Sequence, residues 1–121
     1  MELAVERRGQ GMPVLCLHGH PGTGHCMSVF TKYLSPYFQT IAPDLRGYGR
    51  SCTSQPFDME HHLEDLSVLL NRLDQPCLLL GWSLGGILAM ELALEQSEKI
   101  AGLILVSTAA RPVGTHPPIT W

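Results

Sequence analysis

The chain lacks paired cysteines, a basic excess, a long apolar run, internal repeats and low-complexity segments. Its four cysteines, Cys16, Cys26, Cys52 and Cys77, form no CxxC pair, and two of them sit inside apolar runs where cysteine behaves as a small hydrophobe. Free, reduced thiols are therefore expected. Eight Lys and Arg stand against eleven Asp and Glu, a formal net charge of -3. Such a balance leaves no basic patch, so nucleic acid is not an expected partner. The longest mostly apolar stretch, Pro76 to Leu94, is broken by Gly81, Ser83, Gly85, Gly86 and Glu91, which argues against a membrane span and a membrane partner. The start at Met1-Glu2 shows no basic segment followed by an apolar one, so no secretory signal is read and a cytoplasmic location is expected.

What is present is globular. An apolar fraction of 45% supports a buried core, a charged fraction of 16% is too low for a disordered chain, and 121 residues suffice for one domain. The order of elements alternates strand and helix. Leu3, Val5 and Arg7 alternate with charged or small neighbours, as in a half-exposed edge strand. Pro13 to Leu17, Thr40 to Pro43, Cys77 to Leu80 and Ala101 to Val106 are short continuous apolar runs, suited to strands buried on both faces. Between them, the pattern predicts helices over Met27 to Leu34, over a segment capped by Asp58 with Leu63, Leu66, Leu70 and Leu73 at helical spacing, and over Gly85 to Glu95. His61 and His62, opening the second helix, are read as solvated. A polar, glycine-containing loop is expected to run from Asp44 to about Phe57. The fold class is α/β, a mostly parallel sheet with helices on both faces. In such sheets functional groups gather at the carboxyl ends of the strands.

Three loops at those ends carry chemistry. Gly81-Trp82-Ser83-Leu84-Gly85-Gly86 stands between a strand and a helix and matches the G-x-S-x-G elbow. A nucleophile at the tip of so tight a turn has a strained backbone, and its neighbours must lack side chains for strand and helix to pack. Ser83 is the candidate nucleophile. The turn aims the Leu84 N–H, at a helix N-terminus, toward an oxyanion formed beside Ser83. Trp82 either lines the acyl pocket or simply packs. An incidental strand-to-helix turn is the plain alternative. The second loop is His18-Gly19-His20-Pro21-Gly22, and the third is Asp44-Leu45-Arg46-Gly47-Tyr48-Gly49-Arg50-Ser51. A metal site built from His18, His20, His25 and nearby cysteines is not expected, because the spacing fits no standard zinc pattern. No cofactor is expected.

With these loops in this order, the chain resembles the α/β-hydrolase superfamily from its edge strand to Val106, and its elbow looks like that of pimeloyl-ACP methyl ester carboxylesterases and related small esterases. Prolyl aminopeptidases and carbon–carbon bond hydrolases share similar loops. The resemblance implies that the H-G-x-P-G loop supplies a second oxyanion donor from backbone. That donor is the His20 N–H, since Pro21 has none. His18 is then structural. The D-x-R-G-x-G-x-S loop is architectural, Asp44 accepting backbone hydrogen bonds, because the triad acid follows the serine in this fold. Dehalogenases and epoxide hydrolases carry an aspartate where this chain has Ser83, which argues against both.

The implied activity is a serine hydrolase of esterase or amidase type, forming an acyl-enzyme on a small-molecule ester or amide. A serine needs a histidine base oriented by a carboxylate. After Ser83 come only His116, too close behind the last strand to match the family, and Glu91, Glu95 and Glu98 on or after a helix that runs away from the active edge. Residues 1–121 are accordingly read as a truncated α/β-hydrolase core without lid, later strands, triad acid or triad histidine. The segment Pro117 to Trp121 looks like the entry to a lid. This piece alone is expected to be inactive, and to be unstable or to self-associate through the edge left by its last strand. A non-catalytic scaffold or binding domain is the alternative.

Overall fold

In the computed structural model, residues 1–55 and 58–107 are described. The strands form a single sheet: β1 (Val5–Arg8), β2 (Pro13–Leu17), β3 (Gln39–Pro43), β4 (Cys77–Trp82) and β5 (Ile100–Val106), in the order β1-β3-β2-β4-β5. Only β1 is antiparallel, pairing with β3 at the sheet's edge; the remaining neighbours run parallel. Leu15 faces Ile41 on one side and Leu79 on the other, which fixes the centre of the sheet. The helices are α1 (Ser28–Leu34), α2 (Met59–Asn71) and α3 (Leu84–Glu95). A 3-10 turn over Gly24–Met27 precedes α1, so that helix begins one residue later than the sequence pattern predicts.

The period-two alternation of the strands divides the core into two layers. Leu15, Leu17, Ile41, Cys77 and Leu79 point to the face covered by α2 and α3, where Leu63, Leu66, Leu70, Leu88 and Leu92 meet them. Val14, Cys16, Ala42 and Leu80 point to the other face, under Met27, Phe30 and Leu34. Full burial of each such leucine is worth about 1.5–3 kcal/mol. Cys16 and Cys77 are buried free thiols, and burial pushes them up to about 12 and about 11, so both remain protonated and act as apolar fillers. Asp58 caps α2 as its position predicts, its Oδ1 accepting the His61 N–H at 3.0 Å.

Two expectations are corrected. His62 is buried, not solvated: it shares the inward face of α2 with Leu66 and Leu69, one turn and two turns on. Strand β5 is not buried on both faces, since Leu103, Ile104 and Leu105 keep 40%, 46% and 40% of their surface exposed. It pairs with β4 alone among the described residues, so it has one neighbour where β2 has two. Among the described residues no helix is long and apolar enough to cross a membrane. The expectations placed on Phe57, His116 and Pro117 to Trp121 fall outside the described residues.

Candidate active site

Strand β4 runs two residues further than its apolar pattern indicates, to Trp82, and delivers Ser83 directly to the first residue of α3, Leu84. The turn between them has no spare residue. Ser83 adopts φ 56 and ψ -115, a conformation that costs a non-glycine residue roughly 1–3 kcal/mol and persists only where the surroundings impose it. Those surroundings are visible. The Ser83 N–H donates to the Val106 carbonyl at 3.1 Å, and the Ser83 carbonyl accepts from Gly86 and Ile87 N–H at 2.9 and 3.2 Å. Close packing does the rest. A methyl group on Gly85 would run into the Leu17 carbonyl oxygen and come within 2.7 Å of that of His18.

Serine at a helix N-cap ordinarily turns its hydroxyl onto the helix's first N–H groups. Ser83 makes no such capping bond. Its hydroxyl is left beside the first turn of α3, where N–H groups lack intrahelical partners and the helix dipole favours negative charge. The loop after β2 lies against it. A methyl on Gly19 would stand 3.0 Å from Ser83 Cβ and 3.6 Å from its Oγ. Gly19, His20, Pro21, Gly22, Cys26, Trp82 and Ser83 together line a pocket of about 220 Å³. Of the residues singled out in the sequence, Ser83, His20 and Trp82 thus share one cavity. Leu84 follows at the head of α3, its side chain packed against the main core. Trp82 both lines the pocket and packs, meeting Phe30 edge-on at 6.1 Å and 85°.

His18 is wholly buried behind this pocket. Its Nε2 accepts the Leu45 N–H at 3.0 Å, so the ring proton resides on Nδ1, which donates to the Gly19 carbonyl at 2.8 Å. Burial holds the imidazole below its ordinary value against the opposing pull of that carbonyl and of Asp44, so it is neutral. Both ring nitrogens are committed to backbone, which is a structural role. Asp44 is likewise occupied: Oδ1 accepts Gly24 N–H at 2.7 Å, and Oδ2 accepts Arg50 N–H at 2.9 Å and Arg50 Nε at 3.1 Å. Burial opposes its charge, but these donors outweigh burial and keep the carboxyl below the usual carboxylate range. Among the described residues no cluster of His, Cys, Asp or Glu is arranged to hold a metal ion.

Two features of the site were not read from the sequence. Arg46 forms a two-pronged pair with Asp65 of α2, Nε to Oδ2 at 2.8 Å and Nη2 to Oδ1 at 2.6 Å, which ties the loop after β3 to the helix layer. The signal was an aspartate next to Leu66 on the apolar face of a helix, where a carboxylate requires a cationic partner. The other is Tyr48, whose hydroxyl lies 2.7 Å from His20 Nδ1.

Comparison with known proteins gives a consistent result. Residues 12–121 match the sequence model described as alpha/beta hydrolase fold. The pimeloyl-[acyl-carrier protein] methyl ester esterase of Aeromonas salmonicida is 35% identical over 111 residues, covering 90% of this chain and 42% of that protein. Lipase LipV of Mycobacterium tuberculosis is 35% identical over 119 residues, covering 96% of this chain and 45% of its own length. Among solved structures, a thermophilic esterase from Thermogutta terrifontis superimposes with a TM-score of 0.84 at 37% identity, over 93% of this chain and 43% of that one. The chain therefore spans less than half the length of the relatives it matches.

Proposed function

Because the chain belongs to the alpha/beta hydrolase fold family, we propose that it carries the nucleophile and the oxyanion donors of a serine hydrolase acting on carboxylic esters. The supporting observation is the Ser83 turn: a strained serine between strand and helix, its hydroxyl not spent on capping, opening onto a pocket shared with the loop after β2. The names of the relatives, an esterase and a lipase among them, favour ester over amide substrates. Ser83 Oγ attacks the ester carbonyl carbon while its proton passes to a histidine base. The carbonyl oxygen becomes an oxyanion facing the His20 and Leu84 N–H groups. Collapse expels the alcohol, which takes up that proton, and leaves an acyl group on Ser83. Water, deprotonated by the same base, attacks the acyl carbon, and the base returns that proton to Ser83 Oγ as the acid leaves.

The base and its carboxylate partner are assigned to residues outside this chain, in keeping with the length of the relatives. The 121 residues alone are then a catalytically silent, truncated core, and a cytoplasmic location is the accompanying proposal. Each oxyanion donor is worth about 10²–10³ in rate, but without a base the serine hydroxyl stays a weak nucleophile. The test is hydrolysis of a short p-nitrophenyl ester by the whole protein that carries this chain. Ser83→Ala is expected to lower kcat by at least about 10³. Equal rates for the variant and the parent would remove Ser83 from the mechanism; no hydrolysis above background by the folded parent would leave the scaffold reading.

A further inference from the structure

Tyr48 sits at the centre of a cluster of rings that the chemistry above does not use. Its ring meets His18 edge-on at 5.2 Å and 72°, His20 at 5.6 Å and 78°, and His62 of α2 at 6.5 Å and 35°. The ring is half-buried and packs against the main core. Among the described residues, three bonds join the loop after β3 to the segment after β2. Leu45 N–H reaches His18 Nε2, Asp44 receives Gly24 N–H, and Tyr48 Oη meets His20 Nδ1. The first two are buried and hold the loop at either end. Only the third grips a residue that lines the pocket.

His20 is otherwise exposed. An exposed histidine side chain samples several rotamers. Here the side chain is tied by one short bond to a ring that is itself wedged between His18 and His62. We propose that Tyr48 is a positioning residue for the pocket: through His20 Nδ1 it locks the His20 side chain, and with it the backbone N–H of that residue, in one arrangement beside Ser83. This rests on the reading of the His20 N–H as an oxyanion donor. Burial keeps the Tyr48 hydroxyl above its ordinary value, so it stays protonated through neutral pH. It can donate to a bare Nδ1 or accept from Nδ1–H, so the bond forms with either tautomer of His20.

Tyr48→Phe keeps the ring and its contacts and removes only the hydroxyl, so the test is carried out on that variant of the whole protein. Three-bond couplings to the His20 side chain are expected to show one χ1 rotamer in the parent and an average over several in Tyr48→Phe, with His18 unchanged. The kcat for ester hydrolysis is expected to fall about three- to tenfold with KM altered less than about twofold, the size of one hydrogen bond acting through geometry. His20→Ala, which retains the backbone N–H, is expected to give the same loss, and Tyr48→Phe added to it no further loss. Parent-like His20 couplings in Tyr48→Phe overturn the proposal, as do fully additive losses in the double variant. Absence of any Ser83-dependent hydrolysis in the parent overturns the functional reading instead, and the His20 couplings still decide whether the lock exists.

Discussion

Strands β2 and β5 both pair with β4, run parallel to it and consist almost wholly of apolar residues, yet every residue of β2 is buried while Leu103, Ile104 and Leu105 of β5 are each 40% or more exposed. The difference lies in neighbours. Strand β2 has β3 and β4 beside it and helices over both faces, whereas β5 has β4 alone among the described residues. The opposite edge is built otherwise. There β1 is four residues long, antiparallel, and carries Glu6, Arg7 and Arg8, the charged and short edge that resists further pairing. Strand β5 is seven residues and uncharged, with no strand beyond it among the described residues. One edge of this sheet is finished and the other presents the surface of an interior strand.

The sharpest way to break that contrast is to truncate matched leucines. Leu79→Ala in β4, wholly buried, is expected to cost about 2–5 kcal/mol in urea unfolding. Leu103→Ala in β5, its register partner, is expected to cost less than about 1.5 kcal/mol because much of its surface never left water. Equal costs would mean that β5 is covered in solution.

A smaller effect probes how far burial on the β2 side extends beyond the strand. His18, directly after Leu17, and His62, which faces it through Tyr48, are both held below the ordinary value of 6.5, first by burial. The unfolded chain binds protons that the folded chain refuses. Stability is therefore complete above about pH 6.5 and declines as pH falls below it, by up to about 1.4 kcal/mol per pH unit for each histidine. Denaturant midpoints measured between pH 7.5 and 5.5 check this, and a midpoint that stays level to pH 5.5 would place both rings in water.

Smallest in stability, but direct for the open edge, is Ile104→Lys. A charge on the exposed face of β5 is expected to change folding stability by less than about 1 kcal/mol while suppressing self-association of the 121-residue chain. Sedimentation velocity reads it. A parent chain that is monomeric at high concentration would show that this edge attracts nothing.

These contrasts also explain how much was legible in advance. The runs Pro13–Leu17 and Cys77–Leu80 announce central strands because burial on both faces removes every polar position. The same logic misled for β5, since an apolar run records what a strand is suited to and says nothing of which neighbours it has. The strained turn at Ser83 was legible because small neighbours and strand–helix context leave marks within six consecutive residues. His62, Asp65 and Tyr48 were not, because each is defined by a partner distant in sequence: the ring of Tyr48, the Arg46 guanidinium and the His20 imidazole. His62 could have been found by continuing the inward face of α2 back from Leu66 and Leu69.

The proposed chemistry requires Ser83 to be an activated hydroxyl that opens onto a pocket with backbone donors beside it. Treating the whole protein that carries this chain with a fluorophosphonate and sequencing the labelled peptide tests that directly. A single adduct on Ser83, lost in Ser83→Ala and slowed in unfolding denaturant, is the predicted result. A folded protein that takes up no label, or takes it on another residue, would contradict it.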